Sequence, residues 1–247
     1  MAARGDGQAV VLSGEPGIGK SRVVDALIDS VIRDGARVFA FQCSSYHQNT
    51  ALYPVQVHLE QSIGRTPEDG ASETLVKLEH FFANYPFADV TTASLMAALL
   101  GVALPQGTTT AHPSPEQQKL QAHAALMSWM AEEAERQPLL LVFEDLHWAD
   151  PSTLELVGQI IDQIPTIPLL AVLVARPGFA PPWGSRSYLT PLVLASLNSD
   201  QVEAITRATT SGLALPASLI AYIVERTDGV PLFVEEVTKS IVESGAL

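Results

Sequence analysis

Residues 14–21 are of types that bind phosphate, and their spacing follows the pattern G-x-x-x-x-G-K-S. In such a loop the backbone N–H groups of consecutive residues surround phosphate oxygens, and the dipole of the following helix favours negative charge. Lys20 is placed to reach the β- and γ-phosphates, and the Ser21 hydroxyl is placed to ligate Mg²⁺. The predicted phosphate-contacting residues are Gly14, Glu15, Pro16, Gly17, Ile18, Gly19, Lys20, Ser21 and Arg22.

The segments on either side of this loop have the character that a nucleotide site requires. Residues 8–13 form a short apolar run that suits a buried parallel strand, and residues 22–32 carry apolar side chains at helical spacing. A strand, a glycine-rich loop and a helix in this order bring the N–H groups of the loop to a helix N-terminus. The sequence therefore predicts a nucleotide-binding unit with ATP or ADP and Mg²⁺ as its ligands.

Two acidic residues follow a later apolar run. Residues 139–143 are typical of a buried strand, and Glu144 and Asp145 come directly after it. One carboxylate at this place can hold Mg²⁺ or its waters, and a second can orient or deprotonate an attacking water. By order, Glu144 takes the metal side and Asp145 the water side. Many ATPases have Asp before Glu, so the assignment stays open, and a pair of surface acids is the alternative.

Arg176 follows the apolar run 168–175, again at the predicted end of a strand. A cation there can sense the γ-phosphate and stabilise the charge that develops during phosphoryl transfer. The alternative is an arginine that is solvated or paired with a nearby acid. His147 stands beside Trp148 and is interpreted as a packing or supporting residue, since the histidines of this chain form no metal-ligand spacing.

Apolar strands alternating with helices predict an α/β fold with a parallel five-stranded sheet flanked by helices, in which ligands bind beyond the carboxyl ends of the strands. The predicted strands are residues 8–13, 37–43, 139–143, 168–175 and 188–194. The predicted helices are residues 22–33, 54–64, 72–85, 91–100, 115–136, 151–163, 200–210, 216–227 and 232–244. Residues 101–115 are rich in Pro, Gly and Thr and predict an exposed loop.

The composition excludes several classes of function. The 247 residues carry a net charge of −13 with only 14 Lys and Arg, which argues against direct binding of nucleic acid or of an anionic membrane. No apolar run approaches the roughly 20 residues that cross a bilayer. The single cysteine, Cys43, excludes an internal disulfide and a cysteine-rich metal site. Because the first residues also lack a signal-peptide core, the sequence predicts a cytoplasmic protein.

Several segments together carry a resemblance to a known family. In order, they are residues 14–21, 46–54, 141–150, 175–177 and 229–236. They resemble the AAA-type ATPase module of the STAND class, the signal transduction ATPases with numerous domains. The similarity is greatest to the module found behind bacterial class III adenylate cyclase domains and in large LuxR-type regulators. It covers nearly the whole chain, and residues 144–150 and the Gly-x-Pro run at 229–231 are its most specific parts.

The resemblance implies a P-loop NTPase fold and assigns roles by position. Residues 14–21 are expected to cradle the phosphates, and Glu144 and Asp145 to be the Walker B acids. Arg176 is expected to be the sensor at the end of the fourth strand. Pro231 is expected to lie against the adenine from a small helical domain.

The same resemblance implies an organisation and partners. It implies a nucleotide-binding domain over residues 1–196, with a helical insertion at about 44–137, and a truncated small helical domain over 197–247. ATP and ADP states are expected to differ in how the helical domain docks. Other domains or protein partners are expected to act through it, and a nucleotide-dependent homo-oligomer is a family-level expectation. The sequence lacks the Gly-Arg-Glu motif that precedes the loop in the family, so weaker nucleotide binding is expected. It also lacks a cyclase catalytic domain, so no adenylate cyclase activity is expected.

The sequence therefore predicts an ATP-binding, slowly hydrolysing regulatory switch module. The alternative is a nucleotide-stabilised interaction scaffold that hydrolyses nothing, which the inverted Glu-Asp order favours. A small-molecule kinase is disfavoured because no acceptor site or lid is recognisable. A GTPase is disfavoured because the Asn-Lys-x-Asp motif is absent, and a helicase because no other helicase motif accompanies the Glu-Asp-Leu-His run.

Overall fold

The computed structural model describes residues 7–89, 91–103, 114–210, 212–213 and 215–244. Its strands are β1 (Gln8–Ser13), β2 (Arg37–Gln42), β3 (Leu139–Glu144), β4 (Leu169–Ala175) and β5 (Leu189–Val193). Its helices are α1 (Lys20–Arg33), α2 (Tyr53–Ser62), α3 (Ala71–Phe82), α4 (Thr92–Leu99), α5 (Pro115–Arg136), α6 (Pro151–Gln163), α7 (Ser199–Thr209), α8 (Ala217–Thr227) and α9 (Pro231–Glu243). Each corresponds to a predicted element whose ends differ by a few residues at most. Of the predicted loop at 101–115, residues 104–113 lie outside the described residues.

The five strands form one parallel sheet in the order β2-β3-β4-β1-β5. This confirms the predicted fold class, a parallel α/β sheet flanked by helices. β4 lies between β1, which precedes the phosphate loop, and β3, which ends at the first acid of the pair, Glu144. Because parallel strands end at the same edge of a sheet, the carboxyl ends of these three strands lie side by side.

The centre of the sheet is buried on both faces. Residues 139–143 of β3 are all buried, which explains their unbroken apolar run. On one face, Leu12 and Val142 pack with Val24 of α1. On the other face, Phe143 belongs to a larger core that includes residues of helices α2 to α6. The sheet therefore packs between α1 on one face and the helical insertion on the other. This packing holds the carboxyl ends of the strands, from which the site residues extend.

Helices α7 to α9 pack around a small apolar centre of their own. Val202, Ile223 and Val234 are fully buried there, one from each helix. α9 begins at Pro231, one residue earlier than predicted, because proline is well tolerated at the first position of a helix.

No helix in the described ranges combines the length and the apolar character needed to cross a membrane.

A buried carboxylate ties the helical insertion to β2. Glu133 of α5 is buried, and its carboxylate lies 3.0 Å from Arg37 Nε and 3.5 Å from Arg136 Nη1. The Tyr85 hydroxyl donates to Glu133 Oε1 at 2.6 Å, and Trp129 Nε1 donates to the Tyr85 oxygen at 3.1 Å. A buried charge is tolerated only when it is paired and hydrogen-bonded, as this one is.

Replacing Glu133 by alanine is expected to lower the free energy of unfolding by about 2 kcal/mol, because Tyr85 loses its charged acceptor. The cost stays near this value because the Arg37 and Arg136 side chains are 43% and 44% exposed and remain hydrated. Urea unfolding measures the change. Glu135→Ala, an exposed position of the same helix, is the control and should change stability by less than about 0.5 kcal/mol. Equal effects of the two variants would contradict a structural role for the buried carboxylate.

A histidine takes the place of an apolar residue in the insertion core. The His58 ring lies 4.5 Å from the Phe39 ring, 5.0 Å from the Phe41 ring and 5.8 Å from the Trp129 ring, measured between centroids. Its Nε2 atom is buried without a hydrogen-bond partner among the described residues. Burial lowers the pKa of His58 to about 4, and the nearby Arg37 acts in the same direction.

This histidine makes folding sensitive to mild acid. The folded pKa lies below the unfolded value of about 6.5, so the unfolded chain binds more protons between these two values. Stability is therefore full above pH 6.5 and falls as the pH decreases, by about 2 kcal/mol at pH 5. Burial also lowers the pKa of His123 and His147, which adds to the loss.

Urea unfolding at pH 8 and pH 5 measures the acid loss, and His58→Phe should reduce it by about 2 kcal/mol. The comparison uses the pH dependence rather than the absolute stability, because the larger ring has its own packing cost. An unchanged pH dependence in the variant would show that His58 is not the group that titrates.

Candidate functional site

The phosphate loop joins β1 to α1, and its backbone is shaped by two glycines. Gly17 has φ 79° and Gly19 has φ 97°, a left-handed region that residues with a β-carbon rarely adopt. At Gly17 a β-carbon would also lie 3.1 Å from Leu232 Cβ. α1 begins at Lys20, immediately after the loop. The loop is therefore placed at a helix N-terminus, as the sequence predicted.

Lys20 lies at the centre of the candidate site. Its Nζ atom donates to the carbonyl oxygens of Gly14 at 2.8 Å and Glu15 at 2.9 Å. Burial lowers the pKa of the Lys20 ammonium, nearby Asp145 opposes this change, and Arg176 reinforces it. The lysine therefore interacts electrostatically with residues from two other strand ends, although all three are far apart in the sequence.

Ser21 and Glu144 join the phosphate loop to the acidic pair. The Ser21 hydroxyl donates to Glu144 Oε2 at 2.8 Å. A hydroxyl and a carboxylate are oxygen ligands that suit Mg²⁺, which typically takes one or two protein carboxylates and completes its shell with waters and phosphate. Clusters of three or more His, Cys, Asp or Glu side chains that could hold a metal ion are absent from the described ranges. The donor set therefore fits Mg²⁺ bound together with a nucleotide.

Asp145 is held by a residue that sequence reasoning missed. It has φ 51°, a conformation that aspartate tolerates better than most residues, and it begins the short 3-10 turn Leu146–Trp148. Gln42 Nε2 donates to Asp145 Oδ2 at 2.9 Å. Gln42 ends β2 and is the register partner of Glu144 on β3. The rule that polar groups at the carboxyl ends of strands form the site would have identified Gln42 if it had been applied to β2 as well.

His147 is mostly enclosed, which agrees with a packing role. Its ring centroid lies 4.8 Å from that of Trp148, and neither ring nitrogen has a hydrogen-bond partner among the described residues. Nδ1 lies 4.0 Å from Asp145 Oδ1. Burial lowers the pKa of His147, Asp145 opposes this change, and Arg176 and Lys20 reinforce it. The ring is therefore neutral near pH 7.

Arg176 extends from the end of β4, between the loop and the acids. Its guanidinium carbon lies 5.6 Å from the Trp148 ring centroid, within the range of a cation–π contact. Among the described residues it forms no ion pair, and the residue is exposed, as a solvated arginine would also be. Its placement beside Lys20 and Asp145 leaves the guanidinium available to an anion in the cleft.

These residues surround one cleft of about 480 Å³. The lining residues are Pro16, Gly17, Gly19, Lys20, Ser21, Arg22, Asp145, Arg176, Pro231, Leu232 and Glu235. Of the predicted site residues, those that do not line the cleft are Gly14, Glu15, Ile18 and Glu144. Ile18 is a buried residue of the loop, and Glu144 contacts the site through its hydrogen bond with Ser21. The structure thus brings together residues from the ends of three strands and from the start of α9.

Comparison with known proteins agrees with this arrangement. A family model described as an AAA ATPase domain matches residues 1–174. The chain belongs to the AAA ATPase domain family. The matched range contains the phosphate loop, the Ser21–Glu144 contact, the strands β1 to β3 and all of β4 except its last residue. Membership of the family supports nucleotide binding and, in general, ATP hydrolysis by this AAA ATPase domain.

One curated relative is an uncharacterized protein of Rhizobium meliloti (strain 1021). It is 28% identical to this AAA ATPase domain over 237 residues, which cover 94% of the chain and 22% of the relative. The chain therefore spans about a fifth of the length of that relative. A chain in the structure of Drosophila ORC bound to DNA aligns over 98% of this chain and 57% of its own length, with 11% identity and a TM-score of 0.47.

The start of α9 contacts the phosphate loop of the AAA ATPase domain. The sequence predicted this contact only in part. Pro231 was predicted to face the nucleotide, and it lines the cleft. The structure adds a backbone hydrogen bond from Leu232 N to the Gly17 oxygen at 3.2 Å. It also adds an ion pair of 2.9 Å between Arg22 Nη1 and Glu235 Oε1. Neither contact has a local sequence signal, because the partners are more than two hundred residues apart.

Proposed function

We propose that this AAA ATPase domain is a Mg·ATP-binding, slowly hydrolysing regulatory switch module of the STAND type, within a signalling or transcription-regulator protein of several domains. The observation that carries the proposal is the 2.8 Å hydrogen bond from Ser21 to Glu144. It joins the phosphate loop to the acid that ends β3, and it does so directly beside Lys20 and Asp145. A protein that binds phosphate without Mg²⁺ does not need a carboxylate next to the hydroxyl of the phosphate loop.

In this proposal each residue has a task set by its position. Mg²⁺, when bound, would offset the charge of the phosphates, and Ser21 and Glu144 would hold it. Lys20 and Arg176 stabilise the negative charge that develops on the transferred phosphoryl group. Asp145 orients the attacking water or accepts its proton, and Gln42 keeps the Asp145 carboxylate in place. Backbone N–H groups of the phosphate loop cradle the remaining phosphate oxygens.

The regulatory part of the proposal rests on the helical end of the chain. We assign residues 1–196 to a nucleotide-binding domain with its insertion at about 44–137, and residues 197–247 to a small helical domain. α9 of that domain contacts the phosphate loop at Gly17 and would place Pro231 against the adenine. Other domains or protein partners would act through this helical domain, and a nucleotide-dependent homo-oligomer is one form such an action can take. A cytoplasmic setting would supply both ATP and Mg²⁺.

Phosphate release under saturating ATP tests hydrolysis. The proposal predicts slow release with Mg²⁺ and its loss when EDTA removes the metal. Nucleotide binding without any release in the presence of Mg²⁺ would instead favour the second candidate function, a nucleotide-stabilised interaction scaffold. The observation behind that second candidate is the Glu-Asp order, since the residue on the water side is the shorter acid and is already hydrogen-bonded to Gln42.

A further inference from the structure

The contact between α9 and the phosphate loop includes a charged pair at the cleft itself. Arg22 follows Ser21 directly, and its guanidinium lies 2.9 Å from the carboxylate of Glu235. Both side chains line the same cleft as Lys20. Next to them, the Leu232 N–H donates to the Gly17 oxygen, so this pair lies where the helical end touches the loop.

The two sides of the cleft carry different charges. The sheet side contributes the cations Lys20, Arg22 and Arg176 and the acid Asp145 to its lining. The helical side contributes Pro231, Leu232 and Glu235. The Glu235 carboxylate is therefore the one charged group that this side adds to the described lining. A carboxylate at the edge of a site for a polyanion repels that anion. It also engages a cation that a phosphate oxygen could otherwise use.

We propose that the Arg22–Glu235 ion pair is an autoinhibitory contact, in which Glu235 competes with the nucleotide phosphates for the Arg22 guanidinium. The inference rests on the proposed nucleotide-binding function and specifies how that site is regulated. Arginine pairs with phosphate as readily as with carboxylate, through the same fork of donors. The Arg22 side chain is 82% exposed and that of Glu235 30% exposed, and such exposed pairs contribute little to stability, so the guanidinium can exchange partners.

Competition for one guanidinium couples the two events. Engagement of Arg22 by the nucleotide phosphates weakens the Arg22–Glu235 pair, and by linkage this pair weakens nucleotide binding by the same factor. The effect grows with the charge of the nucleotide. The triphosphate carries one more negative charge than the diphosphate, so Glu235 disfavours ATP more strongly than ADP.

Calorimetric titration of the whole chain with Mg·ATP and with Mg·ADP tests this inference through Glu235→Gln. The variant should bind Mg·ATP about fivefold more tightly than the unmodified chain and Mg·ADP about twofold more tightly. The matched control is Glu236→Gln, because Glu236 is the next residue of α9 and pairs within that helix with Lys239 at 2.9 Å. The control should change neither dissociation constant by more than about a factor of two. Thermal unfolding of both variants should match that of the unmodified chain.

A second variant separates competition from simple repulsion. In an Arg22→Gln background the gain from Glu235→Gln should shrink, because Glu235 no longer engages a cation that the phosphates could use. Weaker binding by Glu235→Gln, or an effect equal to that of Glu236→Gln, would overturn the inference while nucleotide binding itself stands. Binding by Glu235→Gln but not by the unmodified chain would support it. If no variant binds nucleotide, the proposed function fails and the inference with it.

Discussion

Replacement of Lys20 by alanine should weaken Mg·ATP binding by at least about a hundredfold. Lys20 lines the cleft between the phosphate loop and Arg176, and its Nζ atom already donates to the loop carbonyls of Gly14 and Glu15. Hydrogen bonds between a charged donor and phosphate oxygens are worth more than neutral ones, and two such bonds account for an effect of this size. Calorimetric titration with Mg·ATP measures the change.

The control for this prediction is Lys239→Ala. Lys239 is an exposed lysine of α9 that pairs with Glu236 on the same helix, so its loss should leave the dissociation constant within a factor of about two. The Lys20 variant should keep the thermal stability of the unmodified chain, because within the described part of the chain the Lys20 ammonium bonds to the loop carbonyls of Gly14 and Glu15 and to no other group. A Lys20→Ala chain that binds Mg·ATP normally would contradict the phosphate-binding role of the loop.

Replacement of Asp145 by asparagine should reduce phosphate release by about a hundredfold to ten-thousandfold, while Mg·ATP binding changes by less than about tenfold. Asparagine has nearly the same shape and can keep the contact with Gln42, but it neither accepts a proton from water nor offers a negative charge to orient it. Phosphate release under saturating ATP measures the loss. Asp162→Asn is the control, because Asp162 is exposed and pairs with Arg186 on the surface.

The same assay decides between the two acids. Glu144 is hydrogen-bonded to Ser21, so Glu144→Gln should chiefly raise the Mg²⁺ concentration needed for turnover. If Glu144→Gln instead abolished turnover at all Mg²⁺ concentrations and Asp145→Asn retained it, the two roles would be reversed. The contact with Ser21 is the physical reason for assigning Glu144 to Mg²⁺, because two side chains that bind the same ion must lie close together.

The elements of this fold were predictable because each one has a local signal. The unbroken apolar run of β3 marks a strand that is buried on both faces, and the glycines at 17 and 19 mark a loop with left-handed backbone. The predicted positions of Arg176 and the acidic pair at strand ends also followed from local patterns. The parallel arrangement then required these ends to share one edge of the sheet.

The arrangement of the elements was not predictable in the same way. No local pattern shows that β4 lies between β1 and β3, and this order decides that Arg176 stands between the loop and the acids. Gln42 looked like an ordinary polar residue at the end of an apolar run, and its role follows only from its register with Glu144. The Arg22–Glu235 pair joins positions at opposite ends of the chain, and only the packing of α9 on the loop brings them together.

The central claim is that the cleft beside Lys20 binds a nucleotide together with Mg²⁺, and calorimetric titration of the unmodified chain with ATP tests it most directly. The titration is run with Mg²⁺ and with EDTA, each at two temperatures, so that a binding enthalpy near zero at one temperature is not taken for an absence of binding. We expect a sub-millimolar dissociation constant with Mg²⁺ and binding at least about tenfold weaker with EDTA. Absence of heat at sub-millimolar ATP at both temperatures, or identical binding with and without Mg²⁺, would contradict the claim.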